Sequence, residues 1–142
     1  MEAAARGARE ACPGGTAAGT IGVTCDLFGQ RPHNPWLDEI RHTSTLFERL
    51  EQLIALADGF VVLPGGTGTL LELATVLELT SKGIIEPRPL FLLGPYWEGV
   101  LALAREQTGG RRAPAMLAKT AASVDECVLS LLNSLGGHSD EC

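Results

Sequence analysis

Strands and helices that alternate around a glycine-rich connection predict an α/β fold, a parallel sheet with helices on both faces. Three observations carry that prediction. Gly59 to Leu63 (GFVVL) and Pro89 to Leu93 (PLFLL) are short β-rich apolar runs that read as fully buried strands. Leu70 to Ser81 follows the first run with apolar residues at helical spacing, Leu70, Leu73, Ala74 and Leu77. Between them lies Pro64-Gly65-Gly66-Thr67-Gly68-Thr69-Leu70-Leu71-Glu72, a glycine loop at the point where a strand ends and a helix starts. Parallel strands need crossover connections, and the intervening helices supply them.

Taken in order, Glu2 to Ala11 is a helix by propensity, ended by the turn Pro13-Gly14-Gly15. Thr20 to Thr24 (TIGVT) reads as a strand. Cys25 to Arg41 is expected to be a long loop, rich in Pro, Gly and Asn, and loops of that length in compact domains are often functional. Phe28 and Trp36 within it are candidates both for stacking on a base and for packing the loop on its domain. Thr45-x-x-Glu48 is a capping box for a helix reaching Ala57 that buries Leu46, Leu50, Leu53, Ile54 and Ala57.

Asp58 suits the helix-to-strand turn before Gly59 and is read as structural. Lys82-Gly83 closes the helix after the glycine loop. Leu71, Val76 and Leu79 give that helix a second apolar side, as if it met the sheet on one face and a second subunit on the other. Tyr96 to Gln107 is a helix, Ala115 to Lys119 a short one, and Ala121 to Val124 a last strand. Asp125 is expected to cap a final helix ending at Leu135. Residues 1–135 thus make a single domain, and Gly136 to Cys142 a frayed polar tail.

Composition narrows the function. In 142 residues, 45% of them hydrophobic, there is enough apolar material for one real core. A formal charge of −6, with scattered basic residues and no basic stripe, argues against nucleic acid as a partner. It does not exclude a small anion, because local backbone dipoles outweigh net charge at short range. No stretch reads as a signal peptide or a membrane span, so a cytoplasmic protein with reduced thiols is expected. Cys12, Cys25, Cys127 and Cys142 lack metal-type spacing, and His33, His42 and His138 have no convergent partners, so no metal and no cofactor is assigned. Gly-x-Ser-x-Gly is absent, which leaves no nucleophile elbow.

The glycine loop carries the chemistry. It is not a Walker A loop, since no Lys-Ser or Lys-Thr follows, and it half matches the dinucleotide fingerprint: Gly66-x-Gly68 is present, but the third glycine position is Leu71. Amides at a helix N-terminus lack internal partners and favour an anion. Gly65, Gly66 and Gly68 let a phosphate approach the backbone, and Thr67 and Thr69 add hydroxyl donors. Glu72, one turn into the helix, is poorly placed to bind the phosphate itself and better placed to act on the attached sugar. The alternative for Glu72 is a solvated helix glutamate.

The whole string resembles the PGGxGTxxE signature of the Lonely Guy (LOG) family, whose members are often labelled lysine decarboxylases. The resemblance runs from Met1 to about Leu135. It implies a Rossmann-like nucleotide-binding protein and a phosphoribohydrolase that splits nucleoside 5′-monophosphates, AMP or cytokinin ribotides among them, into free base and ribose 5-phosphate. It implies catalytic roles for Glu72 and for Arg49, which falls at the arginine of the family's Arg-Lys pair. The lysine position is Leu50, a departure that bears on the substrate. Arg41 is a weaker candidate, and a surface ion pair with Glu48, Glu51 or Glu10 is the plain alternative for Arg49.

The resemblance also implies a homodimer with the motif helix near the interface, and a chain shortened at its start, where the family's first strand, first helix and second strand would stand. Lysine decarboxylation is not expected, since Lys82 and Lys119 are the available lysines and neither sits in a recognisable pyridoxal-phosphate setting. Two further readings stay open: a non-catalytic nucleotide or molybdenum-cofactor-type carrier, and an inactive shortened homologue.

Overall fold

Strand pairing is parallel throughout the described residues, and each parallel neighbour is reached through a crossover. The computed structural model describes residues 2–11, 19–29, 34–107 and 117–136. These fall into two compact units that divide between Leu56 and Ala57. The architecture is α/β, with helices interleaved between parallel strands.

In the first unit, α1 (Glu2–Ala11) precedes β1 (Ile21–Cys25), a 3-10 turn (Asp26–Phe28), β2 (Glu39–Thr43) and α2 (Leu46–Ala55). β1 and β2 form a two-stranded sheet, Ile21 opposite Glu39 and Cys25 opposite Thr43. The segment expected to be loop up to Arg41 therefore holds a turn of helix and the start of a strand. Polar residues hide that strand: Glu39-Ile40-Arg41-His42-Thr43 shows no apolar alternation. Thr43 is its buried member, and its hydroxyl lies between the carbonyl oxygens of Thr24 (2.9 Å) and Thr45 (3.1 Å).

The capping box forms as the sequence predicts. Thr45 Oγ1 accepts from the Glu48 amide at 3.1 Å and the Glu48 carboxylate accepts from the Thr45 amide at 3.2 Å. Leu50 and Ile54 are the buried residues of α2, while Leu46 and Leu53 are half-buried.

The amino ends of β1 and β2 are tied by one carboxylate. Asp38 Oδ2 accepts from the Thr20 amide and the Thr20 hydroxyl, both at 2.8 Å, and Arg9 stands 3.4 Å from Oδ1. The Thr20 amide first and its hydroxyl second hold the Asp38 carboxyl below the ordinary carboxylate range; burial opposes them, and the Arg9 charge adds the least.

In the second unit, β3 (Phe60–Val62), β4 (Leu90–Leu93) and β5 (Ala118–Ala121) form a sheet in that order. β4 is central, with Leu90, Phe91 and Leu92 buried. α3 (Thr67–Ser81) connects β3 to β4, α4 (Glu98–Gln107) follows a 3-10 turn at Pro95–Trp97, and α5 (Val124–Gly136) follows β5. Phe91, Ala121 and Cys127 form a core cluster, with Leu93 and Leu131 packed against it. Burial, and secondarily the Glu126 charge, pushes the Cys127 thiol up.

Several expectations are corrected here. β3 is not fully buried: it has one strand neighbour among the described residues, Phe60 and Val62 are half-buried, and Val61 is 43% exposed. An unbroken apolar run describes the central strand β4 and overstates β3. On α3, Ala74 is exposed and Val76 is buried with Leu73 and Leu77, so the buried stripe is rotated from the one read by spacing.

The last strand is Ala118–Ala121, not Ala121–Val124, so Ala118 and Lys119 are strand rather than helix; Ala115 and Met116 lie outside the described residues. Ser123, not Asp125, acts at the start of α5. Its hydroxyl accepts from the Glu126 amide at 3.2 Å, while the Glu126 carboxylate accepts from the Ala122 amide at 2.8 Å. Tyr96 begins in 3-10 geometry before α4, and Gly136 is the last residue of α5 rather than tail.

Lys82-Gly83 ends α3 as expected. Gly83 takes φ +66°, its amide donates to Thr80 O (3.1 Å), and the Ile84 amide donates to Leu79 O (2.9 Å), a complete Schellman motif. No helix among the described residues is long and apolar enough to cross a membrane.

The Asp38 tie makes a pH-dependent contribution. A carboxyl whose folded value is depressed stabilises the fold above the ordinary value of about 3.9 and loses that contribution as pH falls through the depressed value. The carboxyl carbon of Asp38 is therefore expected to titrate below the ordinary midpoint by NMR. In urea unfolding, the stability gap between the wild type and Asp38→Asn is expected to shrink as pH falls from about 6 to about 2.

Candidate functional site

The glycine loop leaves the carboxyl end of β3 and becomes α3 within a few residues. Gly66 is the N-cap residue of α3, and the first internal bond of the helix runs from the Leu70 amide to Gly66 O at 3.0 Å. The amides of Gly66, Thr67, Gly68 and Thr69 precede that bond and have no acceptor inside the helix. A glycine at the N-cap contributes no side-chain oxygen to cover them. Gly66, Thr67 and Gly68 are exposed, and Gly65 and Thr69 half-buried.

Each glycine of the loop answers a different demand. A Cβ on Gly65 would run into the Thr69 side chain, which folds back over it, so Gly65 and Thr69 form an internal contact. A Cβ on Gly66 or on Gly68 would meet nothing within 4 Å, and neither residue takes positive φ. Neither internal packing nor backbone torsion demands glycine at those two positions. What they leave clear is space above the exposed amides.

Glu72 lies four positions beyond Gly68 in α3. Residues at that spacing share a helix face, about 5–6 Å apart, and a helical side chain leans back toward the N-terminus. Glu72 is half-buried and shares the helix face of Gly68, one turn further along α3.

Two residues that the sequence reading passed over brace the loop. The Tyr96 hydroxyl donates to Gly65 O at 2.8 Å, and Trp97 Nε1 donates to Leu63 O at 3.2 Å. Their rings meet edge to face, centroids 4.8 Å apart and planes at 81°. Both belong to the turn after β4, so the loops leaving two neighbouring strands are bonded at the carboxyl edge of the sheet. The signal available in sequence was Gly94-Pro95-Tyr96-Trp97, a turn directly following a buried strand.

Arg49 lies in the first unit, half-buried on α2. Its Nε donates to Val23 O at 3.0 Å and its guanidinium stands 5.4 Å from the Phe28 ring centroid. Phe28 is thereby engaged by a cation, and Trp36 carries the Arg6 guanidinium at 5.7 Å. Arg41 pairs with Glu39 beside it on β2. Leu50 is a buried residue of α2. Asp58 is exposed and, with Pro87, Arg88, Pro89, Ser134 and Leu135, lines a cleft of about 420 Å³ beside the amino ends of β3 and β4, the edge away from the glycine loop. His42 is exposed on β2, while His33 and His138 lie outside the described residues.

Parallel strands, a glycine loop at a strand's carboxyl end and an acid on the following helix define a class: α/β proteins built around a strand-to-helix loop of the kind that receives anions. The family described as "Possible lysine decarboxylase" matches residues 1–129, and the chain belongs to that family. It is 33% identical over 90 residues to the probable cytokinin riboside 5′-monophosphate phosphoribohydrolase LOGL9 of Oryza sativa subsp. japonica, an alignment covering 63% of this chain and 39% of the relative. It is 32% identical over 78 residues to the pyrimidine/purine nucleotide 5′-monophosphate nucleosidase of Escherichia coli K12, covering 53% of this chain and 17% of the relative. It is 42% identical over 55 residues to the cytokinin riboside 5′-monophosphate phosphoribohydrolase LOG of Oryza sativa subsp. japonica, covering 39% and 22%. The matches thus span about two fifths or less of each relative's length.

The differing demands on the glycines separate folding from binding. Gly65→Ala is expected to destabilise the chain by about 1–3 kcal/mol, the range for a forced overlap in a packed site. Gly68→Ala is expected to leave stability unchanged or raise it by up to about 1 kcal/mol, the helix-propensity difference, while weakening phosphate binding. Thermal unfolding beside calorimetric titration with AMP distinguishes the two.

Proposed function

We propose that the chain is a nucleoside 5′-monophosphate phosphoribohydrolase. The observation that carries this reading is the pair Gly66 and Gly68, glycines that leave amides open to an incoming group, with Glu72 one turn further along the same face. In the proposed complex the 5′-phosphate sits on the amides of Gly66 to Thr69, Gly65 completes the cradle, and Thr67 donates its exposed hydroxyl. A carboxylate one turn beyond the cradle is placed to act on the ribose rather than on the phosphate.

The reaction breaks the bond between C1′ and the base nitrogen and forms one between C1′ and a water oxygen. The water's proton ends on the departing base, and the products are free base and ribose 5-phosphate. Its transition state carries positive charge on the ribose, as in glycoside hydrolysis. Glu72 stabilises that charge through the ribose hydroxyls and orients the water. Arg49 is kept as a catalytic residue of the proposal because it stands at the arginine of the family signature; within the first unit its guanidinium is held by Val23 O and Phe28.

The relatives' names support the reaction class. The departure at Leu50 bears on which base is accepted, and AMP is the first substrate to test. The reading includes one Rossmann-like domain, a cytoplasmic protein, and a homodimer through α3. Leu71, 37% exposed, and exposed Ala74 support that contact; Val76, buried within the chain, does not contribute to it.

The buried Leu50 also favours a second reading. A core leucine offers no charge to a leaving base, and a nucleotide carrier of the molybdenum-cofactor type would use the same cradle with Glu72 only positioning the ligand. Incubation with AMP and other monophosphates, followed by chromatography for free base, tests the hydrolase. Glu72→Gln is expected to lower kcat by about 10²–10⁴-fold with AMP affinity retained. A wild-type chain that binds AMP and releases no base points to the carrier, and one that binds no monophosphate ends both readings.

A further inference from the structure

We infer that Tyr96 is a positioning residue of this site: its hydroxyl, donated to Gly65 O, sets the direction of the first open amide of the glycine loop. The inference rests on the anion-binding reading of that loop and adds a residue that the glycine signature does not contain.

The carbonyl of Gly65 and the amide of Gly66 belong to one planar peptide unit, and a trans peptide points its C=O and N–H in opposite directions. Holding Gly65 O at 2.8 Å therefore aims the Gly66 N–H away from Tyr96. A carbonyl that accepts a hydrogen bond also polarises its own amide, which makes that N–H a better donor to an anion.

The loop is held at other points too. Trp97 Nε1 bonds Leu63 O, Pro64 fixes its own φ, and the Thr69 side chain occupies the space beside Gly65. None of these contacts is a hydrogen bond to the 65–66 peptide, whereas Tyr96 donates one to its carbonyl.

Tyr96 can hold that carbonyl because its own turn is fixed. The Gly94 amide donates to Ala121 O at 2.8 Å, Gly94 takes φ +74°, and Trp97 is 3% exposed with its ring against Tyr96. The two aromatic neighbours differ in burial. Trp97 is a core residue whose loss would disturb folding, whereas Tyr96 is 58% exposed and contributes little buried area. An exposed tyrosine whose hydroxyl reaches a loop carbonyl is hard to explain by packing.

The test compares the wild-type chain with Tyr96→Phe, which keeps the ring and removes the hydroxyl. AMP and inorganic phosphate are titrated by calorimetry, thermal unfolding is recorded, and amide chemical shifts are followed by NMR without ligand. The expected result is a weakening of AMP and phosphate binding of about 3–10-fold, the effect of one net hydrogen bond, with unchanged thermal unfolding and amide shifts confined to Gly65–Thr69. Equal binding by both proteins overturns the inference and leaves the hydrolase reading standing. A variant that unfolds at lower temperature, with shifts spread across the second unit, also overturns it, because Tyr96 is then a general prop. A wild-type chain that binds neither AMP nor phosphate removes the reading beneath the inference and the inference with it.

Discussion

The amides of Gly66, Thr67, Gly68 and Thr69 come before the first internal hydrogen bond of α3, and a helix has no means of satisfying such groups itself. Most helices cover them with a serine, threonine or aspartate at the N-cap, as α2 does with Thr45 and the start of α5 with Ser123. α3 begins instead with a glycine that has nothing to offer. Three helices in one chain thus follow two policies, and the exception lies at the carboxyl end of a parallel strand, where α/β folds present their ligand sites.

The glycines support the same division. Gly83 is required by its torsion at the end of α3, and Gly65 by contact with Thr69. Gly68 is required by neither and sits inside a helix, where glycine costs roughly 1 kcal/mol relative to alanine. An unforced cost at a helix start is best explained by a group that approaches from outside. The net charge of −6 does not oppose this, because a phosphate at contact distance responds to the nearest dipoles before it responds to the distant surface.

Legibility tracked how local each cause was. The α2 capping box, the end of α3 at Lys82-Gly83 and the buried strand β4 could all be read, because each is written in a few consecutive residues. β2 is hidden in the sequence because it is held by pairing with β1 and by the Thr43 hydroxyl, neither of which leaves an apolar period. β3 reads as fully buried from its residues because composition reports apolarity and not the number of strand neighbours. β5 and its cap were displaced by a few residues, since Ala-Lys-Thr-Ala carries almost no pattern and Ser123 competes with Asp125 for the same role. At the candidate site the loop and Glu72 were legible as a string. Tyr96 and Trp97 were not, because their bonds to Gly65 and Leu63 cross more than thirty positions of sequence.

Leu50, at the position where the family resemblance puts a lysine, is a core residue. It is 5% exposed and has Ile54, also buried, four positions on, so it belongs to the apolar face of α2. A lysine there would have to bury its stem and carry its ammonium outward past that face. The chain keeps the neighbouring Arg49 and spends its Nε on Val23, which fixes the guanidinium at the price of a donor. On the proposed reading, recognition of the phosphate therefore rests mainly on backbone amides. Amides do not titrate, so the pH dependence of binding would follow the second ionisation of the ligand's own phosphate, near about pH 6, rather than a lysine or histidine of the protein. The site's selectivity for a phosphorylated sugar would then come from the geometry of the strand-to-helix loop, and the choice of base from residues beyond it.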